Sequence, residues 1–169
     1  MHNKKSFSLI LPAFNEEAHI KNNIEAFIET KVFDEIIVVD NNSSDKTEKE
    51  IKKTSVKYVQ ETTQGYGAAL RKGMKISTGD YIVLCEPDST FSPQDIFKFL
   101  AYIDDFECIF GTRTTKSLIK KGAKMQFYLR VGNIVVAKFL EYIFLGPTLS
   151  DVGCTYKMIS RNAYEKIKN

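Results

Sequence analysis

The stretch YIVLCEPDST, residues 81–90, runs from five apolar or aromatic side chains directly into Glu86, Pro87 and Asp88. Such a run predicts a buried strand that ends at the edge of a sheet. Because Pro87 keeps the backbone extended, the two carboxylates point the same way and repel each other unless a cation lies near them. Hard cations such as Mg²⁺ bind one or two carboxylates together with phosphate oxygens. The stretch therefore predicts a metal and diphosphate site at a strand end, with a solvated turn that holds no metal as the alternative.

Similar apolar strands recur along the chain and alternate with helical patterns. Helices are indicated after Asn15, which is expected to act as a cap, at 67–77, and after Ser92, where Pro93 occupies the first helical position. The other strands are predicted at 7–11, 35–40, 56–60 and 108–113. Near-continuous apolar strands that alternate with helices predict an α/β fold, with a mostly parallel central sheet covered by helices on both faces.

Polar residues follow the predicted strands, and in open α/β sheets ligands bind beyond the carboxyl ends of the strands. Each candidate also has a purely structural interpretation, as a helix cap, a turn residue or a glycine in a tight turn. The glycines match neither the full dinucleotide fingerprint nor a Walker lysine motif. Several polar strand ends at one edge nevertheless predict a ligand site, formed by Pro12, Ala13, Asn15 and Glu16, by Asp40, Asn41 and Asn42, by Gly65, Gly67 and Arg71, by Glu86 and Asp88, and by Arg113.

The composition argues against several classes of protein. The 169 residues suffice for one domain with a core, and three widely spaced cysteines with two histidines argue against a zinc site or a disulfide framework. The first residues do not form a signal peptide, and no run of about 20 apolar residues predicts a membrane span. A net charge of +3 fits anionic partners without selecting one. The last residues stop in a helical pattern without a cap, so we expect the chain to continue beyond Asn169.

Five segments resemble a known family when they are taken in order. LILPAFNEEAHI, EIIVVDNNSSDKT, GYGAALRKGMKISTGDYIVLCEPDSTFSP, GTRT and LSDVGCTYKMISRNAYEKI follow one another as in family 2 glycosyltransferases. Over residues 1–169 the chain resembles their GT-A catalytic domain, and in particular the dolichyl-phosphate mannose synthase-like branch. The resemblance implies the GT-A fold and an inverting sugar transfer from a nucleotide-diphospho-sugar donor. It also implies Mg²⁺ or Mn²⁺ as the cofactor, and no nucleic acid partner is expected.

The resemblance further implies roles for individual residues. Pro12, Ala13 and Glu16 match the segment that lines the base and ribose pocket, and Asp40 matches the acid that contacts the nucleoside. Arg113 matches an arginine near the diphosphate. Glu86 and Asp88 occupy the Asp-x-Asp place, with Asp88 as the expected metal ligand. The expected nucleotide-sugar-binding set is completed by Asn15, Asn42, Gly65, Gly67, Arg71 and Pro87.

The chain departs from the family pattern in the same motif. Glu86 replaces the first aspartate and Pro87 replaces an alanine, so Glu86 is either a metal ligand, a donor contact or a group behind the ligands. Thr90 stands where some relatives carry a metal-binding glutamine. The 169 residues contain no tryptophan, and the Gln-x-x-Arg-Trp motif of processive synthases is therefore absent from them. Processive polymerisation is disfavoured, unless that motif lies beyond Asn169.

Asp151 falls where the family places an acid that faces the acceptor, and its role depends on the acceptor. A sugar hydroxyl needs a general base, and Asp151 is the candidate. A polyprenyl phosphate is already ionised at neutral pH, and Asp151 would then orient the acceptor or the donor. A turn residue without a catalytic role is the structural alternative. We expect a polyprenyl phosphate or a membrane-linked glycan as the acceptor, with a soluble saccharide as the alternative.

Residues 116–145 bear on where the protein acts. Basic residues, Lys116, Lys120, Lys121, Lys124 and Arg130, precede the apolar run IVVAKFLEYIFL. This pattern predicts either a core helix or an interfacial helix that contacts anionic headgroups. The second alternative would place the protein in the cytoplasm at the inner face of a membrane. A nucleotide-sugar-binding domain without turnover remains the rival function, whereas the acidic segment PAFNEE disfavours a nucleotidyltransferase.

Overall fold

The computed structural model describes residues 5–114, 127–146 and 148–168. The chain divides into two compact units. The first comprises Met1–Ile109 with Tyr156–Asn169, and the second comprises Phe110–Thr155. The first unit contains almost all of the sheet and most of the helices, and the second contains one long helix.

A single sheet organises the first unit, in the strand order β3-β2-β1-β4-β6-β5. Strand β1 pairs in parallel with β2 and β4, β2 pairs in parallel with β3, and β6 runs antiparallel to β4. The predicted α/β fold with a mostly parallel sheet is therefore confirmed. The strands are β1 Phe7–Ala13, β2 Glu35–Asp40, β3 Lys57–Gln60, β4 Tyr81–Leu84, β5 Cys108–Phe110 and β6 Lys157–Ser160.

Helices connect the strands and cover the sheet. A 3₁₀ turn at Pro93–Asp95 leads into one of them, as the Ser92-Pro93 start signal predicts. The helices of the first unit are α1 Ile20–Glu29, α2 Thr47–Ile51, α3 Tyr66–Ile76, α4 Ile96–Leu100 and α6 Arg161–Ile167. Helix α5, Phe127–Phe144, belongs to the second unit.

Both faces of the sheet are buried, because successive side chains of a strand point to opposite faces. On one face, Ile10, Ile37 and Ile82 form a cluster with Ala69 of α3 and Tyr164 of α6. Helix α3 approaches β1 closely at Gly73, where a Cβ atom would lie 2.3 Å from the Ile10 side chain. On the other face, Leu9, Leu11, Val38 and Val83 of β1, β2 and β4 are also fully buried.

Several details differ from the expectations, among them β5, which ends at Phe110, three residues before its predicted end. Asn15 is not a helix cap, because α1 begins at Ile20 and its N-cap residue is His19. Strand β4 stops at Leu84, two residues before Glu86, which was the predicted end of this strand. Cys85 still donates its N–H to Ile10, but Pro87 has no N–H and cannot continue the ladder. Strand β6 was not predicted, because its four residues lead directly into α6.

Helix α5 leaves many large apolar side chains exposed to solvent. Among its described side chains Ala137 is fully buried, whereas Tyr128, Val135, Phe139 and Tyr142 are exposed. This exposure does not fit the core helix that was one of the two interpretations. No helix of the described residues is both long enough and apolar enough to cross a bilayer. The basic residues predicted to flank this helix at 116–124 lie outside the described residues.

Candidate functional site

The carboxyl ends of β1 and β2 lie side by side in the first unit. Ala13, the last residue of β1, is paired with Asp40, the last residue of β2, and Asn41 donates its N–H to the Ala13 carbonyl at 2.9 Å. Pro12, Ala13 and Asp40 are all buried. The sheet register therefore brings three of the predicted nucleoside-pocket residues together.

The Asp40 carboxylate is held by two hydrogen bonds. Its Oδ1 accepts from the Ser43 N–H at 3.1 Å, and its Oδ2 accepts from the Tyr58 hydroxyl at 3.2 Å. Burial and the negative charge of Asp40 raise the pKa of Tyr58 to about 12, so the phenol remains a donor at neutral pH. The bond from Ser43 makes Asp40 part of the turn after β2. Its carboxylate, held at a strand end, is also suited to bind a polar ligand.

The loops after β2 and β3 are joined by two neighbouring asparagines. Asn41 donates its side-chain amide to the carbonyls of Glu61 and Thr63 and accepts the Gly65 N–H at 2.7 Å. Asn42, with φ of 64°, donates to the Thr62 carbonyl at 2.8 Å. These bonds hold the segment that leads into α3 and place Asn42 beside the glycine turn.

The glycine turn itself needs a glycine at one position. Gly65 has φ of 133°, which side chains with a Cβ rarely adopt. At Gly67 a Cβ would lie 3.3 Å from Nη1 of Arg71, so the guanidinium lies against the first turn of α3. Gly65, Gly67 and Arg71 are therefore local neighbours, and Gly65 has a conformational role whatever it binds.

Asn15 and Glu16 connect the loops after β1 and β2. Asn15, with φ of 57°, accepts the Ser44 N–H at 2.8 Å, and the Glu16 N–H donates to the Thr47 hydroxyl at 2.7 Å. Burial, followed by the negative charge of Asp88, raises the pKa of the Glu16 carboxyl, and Glu86 adds to this effect. The structure thus brings Glu16 within electrostatic range of both acids that follow β4.

We call residues 86–90, which follow β4, the carboxylate loop. Within it Asp88 Oδ1 accepts from the Thr90 N–H at 3.0 Å and from the Thr90 hydroxyl at 2.6 Å. Ser89 has φ of 63°, a left-handed conformation that is uncommon for serine. The Pro87 carbonyl accepts a hydrogen bond from the side-chain amide of Asn23 at 2.6 Å. The loop therefore forms a hydrogen-bonded turn that is joined to α1 through Asn23.

The chemistry of this loop fits a hard divalent cation. Glu86 and Asp88 offer the carboxylate oxygens that such a cation prefers, and burial together with the negative charges of Asp88, Asp45 and Glu86 raises the pKa of the nearby Glu16 carboxyl. In the described part of the chain, no group of three or more His, Cys, Asp or Glu side chains is placed to hold a metal by itself.

Arg113 and Asp151 form an ion pair in the second unit. The Arg113 backbone N–H and its Nε both donate to Asp151 Oδ2, at 2.9 and 3.0 Å, and Nη2 lies 3.3 Å from Oδ1. The Asp151 side chain is fully buried, whereas that of Arg113 is 37% exposed. The aspartate thus fixes both the backbone and the guanidinium of Arg113.

Hydroxyl groups and a glycine surround this ion pair. Ser150 donates its hydroxyl to Thr112 at 2.9 Å, and the Thr114 hydroxyl donates to the Ser150 carbonyl at 2.9 Å. At Gly153 a Cβ would lie 2.9 Å from the Asn133 amide oxygen and 3.2 Å from Arg113 Nη2. The segments that carry Arg113 and Asp151 are therefore closely packed within their unit.

The structure groups the predicted residues into two sets. The first unit holds the nucleoside pocket, the glycine turn and the carboxylate loop, and the second holds Arg113 with Asp151. Sequence reasoning missed Tyr58 as a partner of Asp40 and Asn23 as a partner of the carboxylate loop. Asn23 did carry a signal, because it is a polar residue in the i, i+3, i+4, i+7 stripe of Ile20, Ile24 and Phe27.

Comparisons with known proteins point to one family. A family model described as "Glycosyl transferase family 2" matches residues 8–168. The chain is 27% identical over 166 residues to the low-salt glycan biosynthesis hexosyltransferase Agl6 of Haloferax volcanii, a match that covers 95% of this chain and 40% of that protein. It is 28% identical over 182 residues to the UDP-N-acetylglucosamine–dolichyl-phosphate N-acetylglucosaminyltransferase of Methanococcus voltae, covering 94% of this chain and 71% of that one.

A solved structure shares the fold. Mycobacterium tuberculosis glucosyl-3-phosphoglycerate synthase, in complex with Mn²⁺ and uridine-diphosphate-glucose, superposes with a TM-score of 0.73 at 22% identity. The match covers 94% of this chain and 57% of that chain. The GT-A fold is therefore confirmed for this chain.

Proposed function

We propose, from the premise that the chain belongs to glycosyl transferase family 2, that residues 1–169 serve as the catalytic domain of a metal-dependent hexosyltransferase. The observation that carries the proposal is the position of the carboxylate loop. It follows β4, which is paired with β1, and β1 in turn is paired with β2, whose last residue is Asp40. Acidic groups at neighbouring parallel strand ends are suited to a nucleotide-diphospho-sugar and its cation.

Each part of the first unit has a role in this proposal. Pro12 and Ala13 line the nucleoside pocket, and Asp40 accepts hydrogen bonds from the nucleoside. Asp88 holds Mg²⁺ or Mn²⁺, and Glu86 either shares the cation or contacts the donor. The cation, when bound, stabilises negative charge on the leaving diphosphate. The remaining proposed donor contacts are Asn15, Glu16, Asn42, Gly65, Gly67, Arg71 and Pro87.

In the second unit we assign Asp151 to orient Arg113 and not to act as a general base. Among the described residues Arg113 donates three hydrogen bonds to it, and its side chain is fully buried. A general base must reach the proton it abstracts. A guanidinium fixed in this way presents a preorganised positive charge, which stabilises an anionic group without reorganisation. Arg113 is then the residue that contacts a phosphate.

For the acceptor we propose a polyprenyl phosphate. Two observations support this choice. The Asp151 side chain is buried and is not placed to act as a base, and the name of the Methanococcus voltae relative gives dolichyl phosphate as its acceptor. An ionised phosphate needs no deprotonation at neutral pH, whereas a sugar hydroxyl does. The protein would meet such an acceptor at the inner face of a membrane, through contact of 116–145. The exposed apolar side chains of α5 fit that contact.

The experiment that tests the function has two steps. A thermal-shift panel of nucleotide sugars with Mn²⁺, Mg²⁺ or EDTA identifies the donor, because a ligand of the folded state raises Tm by mass action. Transfer from that donor is then measured to dolichyl phosphate in detergent and to soluble saccharides. Transfer to the lipid supports the proposal, and transfer only to saccharides overturns the acceptor. A Tm shift without transfer would instead favour the nucleotide-sugar-binding domain.

A further inference from the structure

Asn23 occupies a position in α1 where an apolar side chain is expected. It lies in the stripe of Ile20, Ile24 and Phe27, and all four side chains are buried. Burying an amide without hydrogen-bond partners is costly, because the amide loses its hydrogen bonds to water. A polar residue at this position therefore needs partners, and their identity indicates what the residue does.

The partners of Asn23 belong to the carboxylate loop. Its Nδ2 donates to the Pro87 carbonyl at 2.6 Å and to the Ser89 hydroxyl at 2.8 Å. A longer contact of 3.3 Å reaches the His19 carbonyl in its own helix. The two short bonds match the two hydrogens of the amide. Pro87 and Ser89 are the residues immediately before and after Asp88, so Asn23 holds the backbone before the acid and the hydroxyl of the residue after it.

The conformation of the loop explains why it needs such support. Ser89 has φ of 63°, and a non-glycine residue in this region is strained. A strained residue persists only where surrounding contacts determine it. The Thr90 bonds to Asp88 are local to the turn and do not connect it to the rest of the fold. The Asn23 amide does, because it joins the turn to the packed face of α1.

We infer that Asn23 is a positioning residue for the carboxylate loop: it holds Asp88 in the place where the carboxylate can bind a divalent cation. The inference rests on the proposed function, in which Asp88 is the metal ligand. It goes further because it assigns a metal-affinity role to a residue that itself contacts neither metal nor donor. Without the amide, the left-handed turn at Ser89 relaxes and the cation loses a fixed ligand.

The test is the variant Asn23→Leu, which fills the apolar stripe and removes both hydrogen bonds. Affinities for UDP and GDP are measured by calorimetry in Mn²⁺ and in EDTA, and affinity for Mn²⁺ alone is measured by electron paramagnetic resonance. We expect binding of the nucleotide in Mn²⁺ to weaken about tenfold, the equivalent of one to two hydrogen bonds, and binding in EDTA to stay unchanged.

A matched control is Thr30→Val at the other end of α1. Thr30 is as buried as Asn23 and donates its hydroxyl to the Phe27 carbonyl at 2.7 Å, away from the loop. It should change Tm but not the affinity in Mn²⁺. Ser89→Ala removes one of the two acceptors and should give a smaller loss. In the double variant the losses should not add, because both changes break the same contact.

Hydrogen exchange separates failure of this inference from failure of the proposed function. The Thr90 amide, bonded to Asp88, should exchange faster in Asn23→Leu than in the wild type. Unchanged exchange and unchanged affinity in Mn²⁺ would overturn the positioning role, and so would equal losses in Mn²⁺ and EDTA. If exchange rises but the wild type itself binds nucleotides equally well in Mn²⁺ and EDTA, the proposed metal role is overturned and Asn23 holds the loop for another purpose.

Discussion

Asp88 and Asp151 are both aspartates in loops, but their surroundings are opposite. Asp88 is partly exposed, accepts hydrogen bonds from the neighbouring Thr90, and lies near enough to Glu16 to raise the pKa of that carboxyl. Asp151 is buried and receives three hydrogen bonds from Arg113. Asp88 therefore has other acids as neighbours, whereas Asp151 is paired with the guanidinium of Arg113.

This difference indicates what each aspartate is able to do. A carboxylate among other carboxylates gains most from an added cation, so Asp88 is suited to bind one together with substrate. A buried carboxylate paired with arginine cannot lose its partner without a large cost, so Asp151 is suited to hold a residue in place. The comparison predicts that changes at Asp88 affect ligand binding and leave stability unchanged, whereas changes at the ion pair lower stability as well as activity.

The largest effect is expected for Asp88→Asn. The amide keeps the size of the side chain but removes the charge that a divalent cation needs, so transfer should fall by about a thousandfold. Nucleoside diphosphate binding should weaken in Mn²⁺ and hardly change in EDTA, as measured by calorimetry. The melting temperature should stay close to that of the wild type. Equal losses of affinity in Mn²⁺ and in EDTA would show that Asp88 does not act through a metal, and its contrast with Asp151 would then fail.

Changes to the Arg113–Asp151 ion pair should, unlike those at Asp88, lower the free energy of unfolding. Arg113→Ala leaves the buried Asp151 carboxylate without its cation and should cost about 3 kcal/mol of the free energy of unfolding. Asp151→Asn leaves a guanidinium that is already partly exposed, and about 1 kcal/mol is expected. Chemical denaturation measures both.

The pH profile of kcat distinguishes the two roles of Asp151. If the aspartate only orients Arg113, Asp151→Asn lowers the rate without removing an ionisation from the profile. Loss of the acidic limb in that variant would show that Asp151 is the general base, and a soluble saccharide would then be the better acceptor.

The sequence predicted the parts of this comparison that depend on local patterns. The apolar run from Tyr81 into Glu86 and Asp88 predicts a strand followed by clustered acids, because strand burial and charge repulsion act over a few residues. The end of β2 at Asp40 was predicted for the same reason, whereas β1 continues two residues beyond its predicted end to Ala13, which the sheet register places beside Asp40.

Contacts between distant residues could not be predicted in this way. Asn23 and Pro87 are 64 positions apart, and Arg113 and Asp151 are 38 apart. Their pairing depends on how the elements pack, which no local period encodes. Asn15 is a clear case: its sequence context favours a helix cap, but its side chain accepts the N–H of Ser44 in the next loop. Tertiary hydrogen bonding took precedence over the local preference.

Asp40 extends the comparison, because it is buried like Asp151 but has uncharged partners. Asp40→Asn removes the charge that helps to raise the pKa of Tyr58, so this pKa should fall from about 12 towards its ordinary value. Ultraviolet absorbance of the tyrosinate during an alkaline titration measures the change. Asp40→Ala should in addition weaken binding of the free nucleoside by about tenfold, the equivalent of one charged hydrogen bond. An unchanged nucleoside affinity would leave Asp40 as a turn residue only.

The smallest effect is expected for Glu16→Gln, and it tests whether negative charge is in excess near Asp88. Burial and the neighbouring acids raise the pKa of Glu16 in the folded state above its unfolded value. The charged form is therefore disfavoured by folding, and this penalty is absent below the unfolded pKa and complete above the folded pKa. At pH 7 the variant should melt about 1–2 °C higher than the wild type, a change typical of a surface substitution.

Two conditions make this last prediction specific. Lowering the pH below the unfolded pKa of Glu16 should abolish the difference in Tm, because the wild-type carboxyl is then protonated in both states. Adding Mn²⁺ with a nucleoside diphosphate should abolish or reverse it at pH 7, because the cation lowers the pKa of nearby carboxyls. Glu25→Gln on the exposed side of α1 is the control, since its carboxylate lies 3.7 Å from Lys21 and should be slightly favourable. If Glu16→Gln destabilises the protein at pH 7 without metal, the acids around Asp88 already have a cationic partner, and the contrast with Asp151 no longer holds.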